Sequence, residues 1–275
     1  MKADLALLGG SPLCDSSDWP RWPVWDTCEA EALQDVLASG QWQSGPRVAA
    51  FEAAFARYQG AEQAICVTNG TTTLEIALRA LGAGPGDEVI VPSYTFAATA
   101  LAVMSVGAIP VFVDSDPEHL NLAPDAVAAA TGPNTVGMIP VHVGGHPVDY
   151  DALEGIARRH GLFLLEDAAH AHGAEWRGQR IGALGHLGSY SFQTGKSLTS
   201  GDGGCLVTSD LALADACRSL RNFGRDAEGR HARVAGNARM TEFQAAVLQC
   251  QLARLDQQIA RRHDNLARLT ERLAE

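Results

Sequence analysis

The chain has 275 residues, 46% of them hydrophobic, and its 32 acidic residues outnumber 21 basic ones to give a formal net charge of -11. This length and apolar content can bury the core of one large domain or one and a half, which argues against a disordered chain. The acidic balance excludes a general basic field for nucleic acid or an anionic membrane, so any phosphate group must be bound locally.

The first thirty residues differ from the rest and are interpreted as an arm. They contain Trp19, Trp22, Trp25, Pro12, Pro20 and Pro23. Proline at this density prevents a regular helix, and tryptophan is unfavourable when fully exposed to water. We therefore expect residues 1–30 to pack on the surface of their own domain or on a second subunit.

From about residue 60 onward, short apolar runs alternate with longer amphipathic or alanine-rich segments. This alternation predicts the α/β class, with a mostly parallel sheet covered by helices. The seven predicted strands are 64–67, 88–91, 110–113, 135–141, 162–165, 188–191 and 204–208. The predicted helices between them are 71–81, 97–106, 150–160 and 212–222.

A long helix is predicted over residues 241–275. Thr241 and Gln244 form a capping-box pattern that marks its start. Its apolar residues are Phe243, Val247, Leu255, Ile259, Leu266 and Leu273. Because nothing follows to cover this stripe, we expect a partner chain or a missing domain to bury it.

Two residues with complementary chemistry follow predicted strands, Asp167 after 162–165 and Lys196 after 188–191. Ligands of open α/β sheets bind outside the carboxyl ends of the strands. A lysine amine can form a Schiff base with an aldehyde cofactor, and a carboxylate can keep a pyridine nitrogen protonated. Together they indicate pyridoxal 5'-phosphate (PLP). Singly, Asp167 fits a helix N-cap and Lys196 a solvated surface lysine.

A phosphate group and an aromatic ring each have a candidate partner. Asn69, Gly70 and Thr71 join a strand to a helix, where N–H and hydroxyl donors can bind phosphate. An ordinary N-cap explains the same residues equally well. Phe96 can stack on an aromatic cofactor, or it can belong to the core.

Residue spacing argues against other ligand classes. A P-loop requires glycine six residues before its lysine, and Tyr190 stands there ahead of Lys196. No G-x-G-x-x-G follows a predicted strand. His170 and His172 are two residues apart, which directs them away from each other, so no metal site is predicted.

The cysteines and the N-terminus indicate an intracellular protein. The six cysteines are widely spaced without a C-x-x-C pair, which argues against a zinc site or a disulfide framework. No basic segment precedes a long apolar stretch at the N-terminus, and no run approaches the roughly 18 apolar residues of a membrane span. We expect a soluble cytoplasmic protein.

A series of short motifs runs almost from one end of the chain to the other. They are LALLGG (5–10), SGP (44–46), NGT (69–71), GDEVI (86–90), TF (95–96), VH (141–142), EDAAH (166–170), SFQ (191–193), Lys196, GDGG (201–204) and NARM (237–240). In this order they resemble the DegT/DnrJ type of PLP-dependent sugar aminotransferase, of the aspartate aminotransferase fold class. The resemblance implies PLP-transferase fold type I, with a mostly parallel seven-stranded sheet flanked by helices.

The resemblance also implies roles around the cofactor ring. Lys196 bonds to the cofactor and, once released, shuttles a proton between the substrate and the cofactor. Asp167 pairs with the pyridine nitrogen. Phe96 and Ala169 pack on the two ring faces, and His170 lies near the phenolic oxygen.

The phosphate group has its own implied partners, namely Gly70, Thr71, Ser191 and Gln193. By the same resemblance, Asn237 of the neighbouring subunit completes the phosphate site. A homodimer with shared active sites is therefore implied.

Similarity to particular branches of the family narrows the range of reactions that the resemblance implies. Dehydrating members of the family have histidine in place of the lysine, so Lys196 favours aminotransfer. The LLGG start, the arm and His170 are most similar to the branch that acts on inososes and to aminohydroxybenzoate synthases. The predicted function is transfer of an amino group from glutamine or glutamate to a keto-cyclitol or keto-sugar. The alternatives are dehydration and aromatisation of an aminoshikimate-like ring, or a non-catalytic PLP-binding dimer.

The resemblance also bears on domain organisation. It implies a large PLP-binding domain over residues 31–240 and, beyond the final helix, a small C-terminal domain that covers the site. Because the chain stops at Glu275, we expect that domain to be missing, which would allow PLP binding but weak or absent turnover. Asp202 stands where the family has glutamate, a change that we expect to be tolerated.

Overall fold

The computed structural model describes residues 5–15, 17 and 19–274, which form a seven-stranded sheet, a small hairpin and nine α-helices. The strands are β1 (Gln63–Val67), β2 (Glu88–Pro92), β3 (Ile109–Val113), β4 (Thr135–Met138), β5 (Phe163–Asp167), β6 (Glu175–Trp176), β7 (Gln179–Arg180), β8 (Leu187–Ser191) and β9 (Gly204–Thr208). The helices are α1 (Thr27–Ser39), α2 (Pro46–Gln59), α3 (Gly70–Ala80), α4 (Ala98–Ser105), α5 (Pro124–Ala130), α6 (Tyr150–His160), α7 (Leu211–Arg221), α8 (Glu242–Ala253) and α9 (Leu255–Ala274).

The strand order in the large sheet is β1-β9-β8-β5-β4-β2-β3. Only β9 runs against its neighbours, and the pairs that join β8, β5, β4, β2 and β3 are all parallel. The predicted α/β class and the seven predicted strands are confirmed. The carboxyl ends of β5 and β8 therefore lie side by side, with Asp167 paired to Ser189.

Apolar residues cover both faces of the sheet. Along β1, Ile65 and Val67 belong to one core cluster, with α3, α4 and α7, while Ala64 and Cys66 belong to another, with α2 and α8. This follows from the alternation of side chains along a strand. The second cluster contains Phe55, whose ring meets those of Tyr190 and Phe192 edge to face.

The predicted final helix is interrupted at Arg254. The capping box at Thr241 and Gln244 is present, but α8 ends at Ala253 and α9 begins at Leu255. At the break the Arg254 guanidinium donates to the carboxylates of Asp26 and Glu29. These charged partners lie at the start of α1, which the sequence pattern did not predict. Helices α2 and α5 and the hairpin β6–β7 were also not predicted.

The interpretation of the cysteines is wrong for one pair. Cys28 and Cys250 form a disulfide between α1 and α8, with their Cα atoms 6.0 Å apart. They are separated by 222 residues in sequence, so spacing along the chain did not indicate their proximity. The contact arises because α1 packs on α8.

The proposed division at residues 30 and 240 remains a prediction. Trp19 and Trp25 of the arm are 69% and 70% exposed, whereas Trp22 is 37% exposed. Within the described residues, no helix combines the length and the apolar character that crossing a bilayer requires.

The N-terminus of α2 is capped by a residue of α8. The amides of Gly45, Arg47 and Val48 donate to the Glu242 carboxylate at 3.0, 2.7 and 3.2 Å. Glu242 is buried. Because the first N–H groups of a helix have no acceptor inside it, this carboxylate joins the two helices.

Replacing Glu242 with alanine is expected to lower the free energy of unfolding by about 3 kcal/mol, because buried N–H groups lose their acceptor. Glu242→Gln keeps one acceptor oxygen and is expected to lose less. Urea unfolding followed by circular dichroism measures both, with Glu271→Ala on the exposed part of α9 as the control. An unchanged unfolding free energy in Glu242→Ala would contradict the capping role.

Candidate active site

A cavity of about 900 Å³ lies at the carboxyl ends of β5 and β8, beside the start of α3. Nine of the ten residues that the sequence singled out line it, and two of them, Asp167 and Ser191, are the last residues of their strands. The nine are Gly70, Thr71, Phe96, Asp167, Ala169, His170, Ser191, Gln193 and Lys196. The fold therefore brings together residues that are spread over more than a hundred positions of sequence.

Asn237 is the candidate that does not line this cavity. Its side-chain oxygen accepts a hydrogen bond from Nε of Arg239 at 3.0 Å, and its backbone pairs with that of Asn222. Asn237 is expected to act in the site of a neighbouring subunit, not in the site of its own. Its position outside the cavity of its own subunit does not test that role, which stays a prediction.

The environment of Lys196 favours a neutral amine. Burial lowers the pKa of Lys196 below its ordinary value, and the negative charge of Asp167 acts in the opposite direction. Lys196 and Asp167 both line the cavity. A lysine held in this way can act as a nucleophile or as a base at a lower pH than an exposed lysine.

The Asp167 carboxylate is oriented by two donors. The Thr99 hydroxyl donates to Oδ2 at 2.9 Å, and the Ala169 amide donates to Oδ1 at 3.2 Å. Thr99 and Asp167 are both buried. The backbone is fixed as well, since the Asp167 amide donates to the Pro140 carbonyl at 2.8 Å. A carboxylate with this support presents a fixed negative charge to a ligand in the cavity.

The residue before Asp167 stabilises the other face of β5. Glu166 accepts hydrogen bonds from the amides of Gly182, Leu184 and Gly185 at 2.9, 2.9 and 2.6 Å. Nε2 of the fully buried His142 lies 3.3 Å from Glu166 Oε2. The segment after β4, the end of β5 and the loop before β8 are thereby held together at the edge that carries the cavity.

His170 has one ring nitrogen fixed by the backbone. The Gly144 amide donates to Nδ1 at 3.3 Å, which makes Nδ1 an acceptor and leaves Nε2 to carry the proton. Burial, with the positive charge of Lys196 as the next cause, lowers the pKa of His170. His170 is therefore a neutral hydrogen-bond donor near neutral pH.

The start of α3 is suited to an anion. Asn69 caps the helix by accepting from the Thr72 amide at 2.9 Å, while Gly70 and Thr71 occupy the first two helical positions, whose N–H groups have no acceptor within the helix. A Cβ at position 70 would lie 2.6 Å from Cβ of Ser191. Glycine thus allows the helix end to approach Ser191 closely.

Sequence reasoning assigned no role in the site to several polar residues that line the cavity, namely Tyr94, Thr95, Thr99 and Asp202. Thr99 is the most important, because it donates directly to Asp167. Thr95 lies four residues earlier, and its hydroxyl is 2.9 Å from that of Thr99. Two threonines four residues apart, just after the end of a strand, were the available signal.

Replacing Asp167 with asparagine is expected to lower the pKa of Lys196 further, because the charge that opposes the effect of burial is removed. The pH midpoint for acetylation of Lys196, measured by competitive labelling and mass spectrometry without cofactor, should move to lower pH. Asp202→Asn, which alters another cavity acid, is the control. A midpoint that stays constant or rises in Asp167→Asn would contradict this electrostatic account.

Comparison with known proteins places this site in a family. The model of the DegT/DnrJ/EryC1/StrS aminotransferase family matches residues 24–275. The chain is 48% identical to the dTDP-3-amino-3,4,6-trideoxy-alpha-D-glucose transaminase of Streptomyces venezuelae, over 81% of this chain and 59% of that protein. It is 42% identical to the L-glutamine:scyllo-inosose aminotransferase of Streptomyces griseus, over 100% of this chain and 69% of that protein.

The fold agrees with a solved relative. The crystal structure of 3-amino-5-hydroxybenzoic acid synthase superposes with a TM-score of 0.87 at 44% identity, covering 90% of this chain and 66% of that one. The chain thus spans roughly 59–69% of the length of these relatives. The predicted resemblance is confirmed, and the chain belongs to the DegT/DnrJ/EryC1/StrS aminotransferase family.

Proposed function

We propose that this chain carries the cofactor site of a PLP-dependent aminotransferase. The amino donor is glutamine or glutamate, and the acceptor is a keto-cyclitol or a keto-sugar. The observation that carries this proposal is the cavity in which the amine of Lys196 and the carboxylate of Asp167 interact. We further propose that the protein acts in the cytoplasm, as part of aminosugar or antibiotic biosynthesis.

The residues of the cavity fit PLP at both of its ends. A protonated pyridine nitrogen needs a fixed anion, which Asp167 supplies with the support of Thr99. A phosphate group needs N–H and hydroxyl donors, which the start of α3 and Ser191 supply at the point where any side chain at position 70 would clash. The volume of about 900 Å³ accommodates the cofactor together with a small substrate.

When bound, PLP supplies an electron sink that stabilises negative charge on the carbon of the amino donor. The residues of this chain do the rest. Lys196 holds the cofactor by its Nζ atom and, when free, accepts and returns a proton at that atom. Asp167 keeps the ring nitrogen protonated. His170 would donate from Nε2 to the phenolic oxygen. Phe96, which lines the cavity and is 78% exposed, and Ala169 would pack on the two faces of the ring.

The names of the relatives support the choice of substrates. One relative is a glutamine:inosose aminotransferase, and another is a transaminase of a nucleotide-linked sugar. Both are aminotransfer enzymes, as the retained Lys196 favours. A second candidate, the chemistry of an aminohydroxybenzoate synthase, is favoured by the 44% identity to the solved synthase. An aromatic product with near-ultraviolet absorbance would distinguish it.

Purified protein mixed with PLP should show a visible absorption band, and borohydride should trap the cofactor on Lys196, as read by mass spectrometry. In a sample without borohydride, glutamine should lower the intensity of this absorption band, because the amino group passes to the cofactor. Lys196→Ala should lose the trapped product, while Lys2→Ala should keep it. Cofactor bound at another lysine, or none bound at all, would contradict the proposal.

A separate prediction concerns the proposed homodimer. If Asn237 completes the partner's phosphate site, a heterodimer of Lys196→Ala and Asn237→Ala protomers has one site with both residues intact. This heterodimer should therefore bind PLP with wild-type affinity at half of its sites. A dimer of two Asn237→Ala protomers should bind PLP about tenfold more weakly at both sites, because each site loses one charge-assisted hydrogen bond. Mixed and unmixed dimers are compared by absorbance titration. If no site of the heterodimer binds PLP with wild-type affinity, the role in the partner's site is contradicted, and Asn237 acts in the site of its own subunit.

A further inference from the structure

The loop that carries Lys196 is short and partly open to solvent. We call residues 193–200 the lysine loop. Its ends are closed by backbone hydrogen bonds, from the Thr194 amide to the Gly201 carbonyl at 3.0 Å and from the Ser200 amide to the Phe192 carbonyl at 3.1 Å. Gln193, Thr194 and Gly195 are exposed, and Lys196 is half-buried. Inside the loop, the Lys196 amide donates to the Gln193 carbonyl at 2.9 Å and the Gly195 amide donates to Gln193 Oε1 at 2.7 Å. Contacts from outside the loop therefore add to its own hydrogen bonds.

Two distant segments contact the lysine loop on either side of Lys196. The indole Nε1 of Trp22, in the arm, donates to the Thr194 carbonyl at 2.7 Å. The guanidinium of Arg262, on α9, donates to the Ser197 hydroxyl. These two segments also contact each other, since Cζ of Arg262 lies 5.2 Å from the centroid of the Trp22 ring. The three parts form a closed set in which each contacts the other two.

The first turns of α9 are docked, and this docking determines where Arg262 lies. The Tyr58 hydroxyl donates to Asp256 at 2.6 Å. Ile259 packs against Gly173, at a position where an added Cβ would lie only 2.4 Å from its Cδ1 atom. Asp256, Ile259 and Arg262 follow one another at three-residue spacing, so they share one side of the helix. Further along, Leu269 and its apolar neighbours are exposed.

The charge of Arg262 also acts on a buried histidine, His172. Burial lowers the pKa of His172 to about 3, with the positive charge of Lys196 as the next cause and that of Arg262 as a smaller one. Its contact with the lysine loop itself is the hydrogen bond to Ser197.

We infer that Trp22 and Arg262 are positioning residues that hold the lysine loop closed, so that the arm and α9 together determine where the Lys196 amine points. The inference rests on the proposed function, because it takes Lys196 as the residue that attaches the cofactor. An ordered loop avoids the entropy cost of fixing Lys196 when the cofactor binds. Loss of one hydrogen bond or of the cation–π contact should increase opening of the loop about fivefold.

Hydrogen exchange of the cofactor-free protein tests the loop directly. In Trp22→Phe, which keeps an aromatic ring but removes the N–H donor, and in Arg262→Met, amides of the lysine loop should exchange about fivefold faster. Trp25→Phe and Arg261→Met change exposed neighbours on the same two segments and should leave the loop unchanged. Equal exchange in all four variants would overturn the inference.

A second measurement separates positioning from general destabilisation. Exchange of the lysine-loop amides should return toward wild type in Arg262→Lys, which restores a cation and an N–H donor, while the urea unfolding midpoint stays constant in all variants. A loss of stability in Arg262→Met large enough to account for its faster exchange would refute a specific role. If the protein binds no PLP, the proposed function fails. Hydrogen exchange of the loop amides in the cofactor-free protein still decides whether Trp22 and Arg262 hold the loop.

Discussion

The electrostatic interaction between Lys196 and Asp167 is the constraint on which the rest of the site depends. Burial favours the neutral amine of Lys196, and the negative charge of Asp167 acts against this. This interaction requires that the fold bring both groups to the same cavity. The parallel pairing of β5 with β8 provides this, because it brings the strand end with Asp167 beside the strand that leads into the lysine loop.

The polar groups around Asp167 extend this constraint into the core. Thr99 and the amide of Ala169 fix the two carboxylate oxygens. On the opposite face of β5, the Glu166 carboxylate accepts hydrogen bonds from three backbone amides of the loop before β8, and His142 lies beside it. Buried polar groups are costly when unpaired, so a network of this kind favours one arrangement of the strand ends.

The sequence predicted the parts of this site that follow from local pattern. The seven strands alternate with helices at a recognisable spacing, and Asp167 and Ser191 could be placed at strand ends before any coordinates were known. The hydrogen bond from Thr99 to Asp167, the Cys28–Cys250 disulfide and the break at Arg254 were not predictable in this way. Each depends on residues far apart in sequence, whose proximity follows only from how the helices pack.

The most direct test is a crystal structure of the protein grown with PLP. The account predicts one cofactor in the cavity, with Nζ of Lys196 bonded to the aldehyde carbon and the Asp167 carboxylate within hydrogen-bond distance of the ring nitrogen. A cofactor bound elsewhere, or one whose ring nitrogen faces a group other than Asp167, would contradict it.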